Sequence, residues 1–163
     1  MEAVRLTHIW AVPVAVFSIV SLAAQQPCAS SPEIEQAVAQ FGSAKQYTAK
    51  GKYLALHGNF DCAKRAFQKA IELDTGDWQS RFNLALIHIK QHGLEHALPH
   101  LARTAELRPQ FLEARLALGS VLAKLGNMSG AAEEFTAALD IDPSSAEALY
   151  HLAKTNMAQR RYR

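Results

Sequence analysis

Four histidines, His88, His92, His96 and His100, follow one another at intervals of four. On one unbroken helix that spacing stacks imidazoles along a single stripe, where they could ligate a transition metal. Gly93 interrupts the run and predicts a turn between His88 and His96. His96 and His100 then remain one turn apart with no third ligand in view, so no metal is expected. Two cysteines, Cys28 and Cys62, are too few for a disulfide framework or a multi-cysteine zinc site. Two unpaired thiols are expected, with one bridge in an oxidising compartment as the alternative, because spacing does not say how close their Cα atoms come. Glu133 and Glu134 read as the solvated face of a helix rather than as an acid/base pair. No glycine-rich phosphate loop and no nucleophile elbow occurs. The expectation is a chain without catalysis and without a cofactor.

Helices are the elements that must position these groups. Of 163 residues 49% are hydrophobic, which is enough to bury a core, and Ala and Leu dominate while Gly and Pro recur at intervals. A formal net charge of +2 argues neither for nucleic acid nor against it; the array has no long basic run except Arg160, Arg161 and Arg163, and no nucleic acid is expected as a partner. Residues 1–24 differ in kind from the rest. Arg5 precedes an uncharged, mostly apolar stretch from Ile9 to Ala24, with small residues at Ser21, Ala23 and Ala24. That is the layout of a secretory signal peptide cleaved after Ala23 or Ala24. The mature chain would then work outside the cytoplasm, periplasmic or secreted, with no membrane span. An uncleaved signal anchoring it to the membrane is the alternative.

The remainder repeats itself with a period of 34 residues. That shift aligns Gly51, Ala85, Gly119 and Ala153; then Ala63, Ala97 and Ala131; then Phe67, Leu101 and Phe135. It also aligns Ala70, Thr104 and Ala138, and then Thr75, Pro109 and Pro143. Each unit holds two helical stretches separated by a break at Gly58-Asn59, His92-Gly93 or Gly126-Asn127. The small residue of the first helix and the alanine of the second allow close approach, and the bulky residue fills the space beside it. Pro109 and Pro143 end their helices, and Pro99 is expected to kink the helix that contains it.

On these positions the chain resembles the tetratricopeptide repeat family, whose pattern of small residue, alanine, large apolar residue, alanine and proline it carries. The departures are Lys50, Thr75, Thr104, Arg81 and Arg115. The resemblance implies an all-α, right-handed solenoid of antiparallel helix pairs, with about three and a half 34-residue repeats. Repeats are placed at 44–77, 78–111 and 112–145, with a half repeat or capping helix at 146–163. A linker at 25–43 includes a short helix over 32–41, capped by Ser31.

In proteins similar to this one, the stripe of each first helix that faces away from its packing partner lines a concave groove for a peptide. Here that stripe gives Lys45, Thr48 and Lys52; Gln79, Phe82, Asn83, Ile89 and Lys90; Glu113, Ser120 and Lys124; and Glu147, Tyr150, His151 and Lys154. Five of the eight lysines lie on it against two acids, which suggests an acidic peptide segment. A subgroup of the family clamps a terminal carboxylate with lysine, arginine and asparagine side chains. Only Asn83 matches that set, so this activity is not carried over. The expected function is a non-enzymatic scaffold or adaptor that binds a protein or peptide. The alternative is the repeat portion of a larger enzyme or secretion component that recruits its substrate. Self-association through the unfinished last helix is a further possibility.

Overall fold

A computed structural model of the chain describes Cys28 and residues 42–161. The expected leader over 1–24, the expected helix over 32–41 and Tyr162 lie outside the described residues. Within them the chain forms α1 (Ala44–Leu56), α2 (Phe60–Leu73), α3 (Trp78–Lys90), α4 (Leu94–Leu107), α5 (Leu112–Lys124), α6 (Met128–Ile141) and α7 (Ala146–Arg161). No strand occurs among the described residues. Helices α1, α3, α5 and α7 start 34 residues apart, and so do α2, α4 and α6.

Local chemistry explains where the helices start. Side-chain oxygens of Asn59, Asp77 and Asn127 accept from the backbone N–H of Cys62, Ser80 and Gly130, capping α2, α3 and α6. Gln46 accepts from the N–H of Ser43 at 2.9 Å ahead of α1. The turns inside the three hairpins share one geometry. Gly58, His92 and Gly126 all have positive φ. The following amide reaches back to the helix in each case, as in Asn59 N–H to Leu54 O and Asn127 N–H to Leu122 O, both 2.9 Å. Two of the three sites carry glycine, which takes the left-handed conformation without a Cβ clash. His92 takes it at φ 62°.

Packing within each hairpin extends into the next one. One buried cluster joins Leu54, Ala63 and Phe67 of the first hairpin to Leu84 and Ile87 of α3. A second joins Ala85, Ala97 and Leu101 to Leu118 and Val121 of α5. A third joins Leu116, Ala131, Phe135 and Ala138 to Ala148 of α7. Each hairpin thus closes its core only with the first helix of the next, which is how a repeat array becomes stable. Gly51 lies directly against the Phe67 ring, and Gly119 against Phe135. Helices α4 and α6 end at Leu107 and Ile141, ahead of Pro109 and Pro143. Thr104 is fully buried in place of an alanine, because its hydroxyl donates to His100 O at 2.8 Å. Pro99 sits inside α4, which runs unbroken from Leu94 to Leu107. Helix α7 leaves Leu149, Tyr150 and Met157 at least half exposed.

One expectation is overturned: Cys28 and Cys62 are bonded rather than free. Their Cα atoms lie 5.0 Å apart, within the range a disulfide spans. Cys62 is buried in the first turn of α2, Cys28 packs against the same cluster, and the Arg65 guanidinium touches the Cys28 sulfur. The pairing depends on how the chain ahead of α1 returns to α2, a feature that linear spacing does not encode.

Candidate binding groove

The first helices α3, α5 and α7 follow one another across the array, and two hollows open between them. One, of about 230 Å³, is lined by Phe82, Leu86, Glu113, Leu116, Ala117, Ser120 and Glu147. The other, of about 430 Å³, is lined by Ser120, Ala123, Lys124, Met128, His151, Lys154, Thr155 and Ala158. Ser120 belongs to both, so the two form one continuous groove. Apolar floors with a few polar groups on the rim are the usual composition of a ligand site. The rims differ in sign: Glu113 and Glu147 at the first hollow, Lys124 and Lys154 at the second.

Of the residues expected to bind a partner, Phe82, Glu113, Ser120, Lys124, Glu147, His151 and Lys154 meet at these hollows. Phe82 is held edge-on by Phe111, with ring centroids 4.8 Å apart, and His151 stacks on Phe135 at 5.2 Å. Lys45, Lys52 and Gln79 are exposed but border neither hollow. Tyr150 is 63% exposed and also stands outside them.

Four of the expected residues make contacts within the chain. Thr48 is buried, because its hydroxyl reaches Asp77 Oδ2 at 2.6 Å and Ser80 Oγ at 2.9 Å and so ties α1 to the start of α3. Asn83 turns along its own helix and donates to Gln79 O at 2.7 Å. Ile89 packs against the second core cluster. Lys90 swings to α2, where its ammonium stands 4.5 Å over the Phe60 ring. Leu86 lies on the same stripe, is 41% exposed and lines the first hollow beside Phe82. Met128, Thr155 and Ala158 were missed because α6 and α7 reach the second hollow only through tertiary packing.

The surrounding polar groups shape the scaffold. Burial would raise the Asp77 carboxyl, but hydrogen bonds from Thr48 and Ser80 outweigh it and hold the group below the usual carboxylate range. Glu134 is not a solvated residue like its neighbour Glu133. It pairs with Arg115 Nη1 at 2.8 Å, and each partner is only about a fifth exposed. The turn at His92-Gly93 folds α4 back, so the His88 ring lies 5.4 Å from His96 and stacks 6.1 Å from His100. Burial lowers His88, with Lys64 and His96 adding to it; burial likewise lowers His100, aided by His88 and Arg81. No group of three or more ligand side chains among the described residues is arranged to hold a metal ion. No helix among them is long and apolar enough to cross a membrane.

Known proteins share this architecture. A family model described as tetratricopeptide repeat matches residues 85–146. DnaJ homolog subfamily C member 3 of Rattus norvegicus is 31% identical over 113 residues, which is 68% of this chain but only 22% of that protein. Among solved structures, the crystal structure of YrrB, a TPR protein with an unusual peptide-binding site, matches with a TM-score of 0.71 at 24% identity, covering 90% of this chain and 74% of that one. The first TPR of Spaghetti (RPAP3), bound to the HSP90 peptide SRMEEVD, matches with a TM-score of 0.68 at 19% identity, covering 73% of this chain and 94% of that one. At those identities the two structures speak for the fold. Helices recurring every 34 residues, a glycine set against a phenylalanine ring in the first and third hairpins, and these likenesses converge: the chain is a tetratricopeptide repeat protein.

Proposed function

We propose that the chain is a non-catalytic protein-interaction module that holds an extended segment of a partner in the groove between α3, α5 and α7. The observation that carries this is the continuous groove, in which two apolar-floored hollows meet at Ser120. Similar architecture supports it, since one solved relative holds an HSP90 peptide and another is described by its peptide-binding site. Ser120→Trp would fill the junction of the hollows. Affinity capture from cell-envelope extract with the wild-type chain, followed by mass spectrometry, should recover a partner that the Ser120→Trp chain loses. Equal recovery by both would refute the groove as the binding surface.

The same reading places the chain outside the cytoplasm, in the periplasm or a secreted state. The Cys28–Cys62 bond supports this, because such bonds persist where the surroundings are oxidising. So does the leader-like stretch over residues 1–24. N-terminal sequencing of exported protein tests it, and a start at Met1 would count against cleavage.

A second reading rests on length. The chain corresponds to 22% of its rat relative, which fits the repeat portion of a larger enzyme or assembly component that recruits a substrate for another domain. A reading frame continuing beyond Arg163 would favour it.

A further inference from the structure

The expectation of an acidic ligand came from counting lysines over a whole face. The structure divides that face by sign instead. Glu113 and Glu147 occupy the second position of α5 and of α7, and both border the hollow that contains Phe82 and Leu86. Lys124 ends α5 and Lys154 lies in the second half of α7, and both border the hollow floored by Met128. None of these four side chains is engaged in an ion pair among the described residues. Their charge is therefore available to a ligand.

We infer that the groove selects a segment of mixed charge: a cationic side chain over the Phe82–Glu113–Glu147 hollow, an acidic one between Lys124 and Lys154, and apolar side chains between them. This rests on the groove reading proposed above and specifies its ligand. Phe82 and Leu86 give that hollow an apolar wall for the aliphatic stem of an arginine or lysine, which a purely acidic peptide lacks. Carboxylates at one end repel a purely acidic segment just as the lysines at the other end attract it, so charge pattern rather than net charge decides the fit. From Glu113 to Lys124 the α5 axis runs roughly 16 Å. An extended segment lying along it crosses that distance in about five residues, which sets the spacing of the two charges.

Fluorescence anisotropy with labelled synthetic peptides on the full chain tests this. The probe is Arg-Leu-Gly-Ser-Leu-Glu, and the controls replace Arg by Glu or Glu by Arg. Wild-type protein should bind the mixed-charge peptide about tenfold more tightly than either control. Glu113→Lys/Glu147→Lys should move the preference to the all-acidic peptide, and Lys124→Glu/Lys154→Glu to the all-basic one. These four positions border solvent, so thermal melts should show all variants folded. Equal affinity for the three peptides, or variants that leave the ranking unchanged, overturns the inference, as does a wild-type chain that binds none of them. Ser120→Trp separates this from failure of the groove itself. If it abolishes binding of peptides that show no charge ranking, the groove stands and the charge pattern falls; if it abolishes nothing, the groove fails too.

Discussion

A methyl group on Gly119 would stand 2.7 Å from Cε1 of Phe135, well inside van der Waals contact. The same relationship holds between Gly51 and Phe67, at 2.5 Å. In the middle hairpin Ala85 takes the glycine position, and the residue across from it is the smaller Leu101. The size of one side chain therefore sets the size its neighbour can have. Alanine at Gly119 gains about 1 kcal/mol of helix propensity but overpacks a closed core, which costs about 1–3 kcal/mol. Gly119→Ala should lose up to about 2 kcal/mol in urea unfolding. Phe135→Leu in the same chain should restore part of it. Additive losses in the double variant would show that the two residues do not share the site.

His92 holds a left-handed conformation that the other two hairpins assign to Gly58 and Gly126. A residue with a Cβ there costs about 1–2 kcal/mol relative to glycine, offset in part by the greater freedom of glycine in the unfolded chain. His92→Gly should stabilise the array by about 0.5–1 kcal/mol, seen as a higher midpoint with an unchanged slope. His92→Ala should not.

The His88, His96 and His100 rings form a cluster in which His88 and His100 resist protonation. Unfolded, an imidazole titrates near 6.5, and burial holds His88 and His100 lower than that in the fold. As pH falls below that value, the unfolded chain takes up protons that the folded chain refuses. Stability is then complete above about pH 6.5 and declines through the window below it. Thermal melts at about pH 7.5 and 5.5 should show a larger drop in midpoint for the wild type than for His88→Gln/His100→Gln. Identical drops would show that the cluster does not control this window.

The bond between Cys28 and Cys62 joins positions 34 apart. Closing a loop of that length removes unfolded-chain entropy equivalent to about 3–4 kcal/mol, with measured values often smaller. A reductant, or Cys62→Ala, should lower the unfolding midpoint, and the double variant Cys28→Ala/Cys62→Ala should match the single one. Intact masses before and after reduction and alkylation check that the bond is present.

The helical array was legible because its signals repeat: Ala63, Ala97 and Ala131 keep step with Phe67, Leu101 and Phe135 whatever the polar residues between them do. The groove was legible only as a stripe. Thr48 belongs to that stripe by angle, yet the Asp77 carboxylate that caps α3 draws it inward, and no helical wheel contains that neighbour. Lys90 leaves the stripe for the Phe60 ring on another hairpin. The division of Glu113 and Glu147 from Lys124 and Lys154 runs along the helices, so a tally over the whole face averages it away. Gly93 made the turn after His88 legible, but that the turn sets the His88 ring beside His96 and His100 depends on how α3 and α4 pack.

The sulfur–sulfur link makes the front of the molecule topologically a ring. A protease that nicks the backbone between Cys28 and Cys62 will not shed the upstream piece; the cut chain gains one water in mass and migrates as one species until a thiol is added. Whatever segment precedes Cys28 stays tethered to the first turn of α2 after such a cut, so the array keeps its leading end through processing that would strip an unlinked tail.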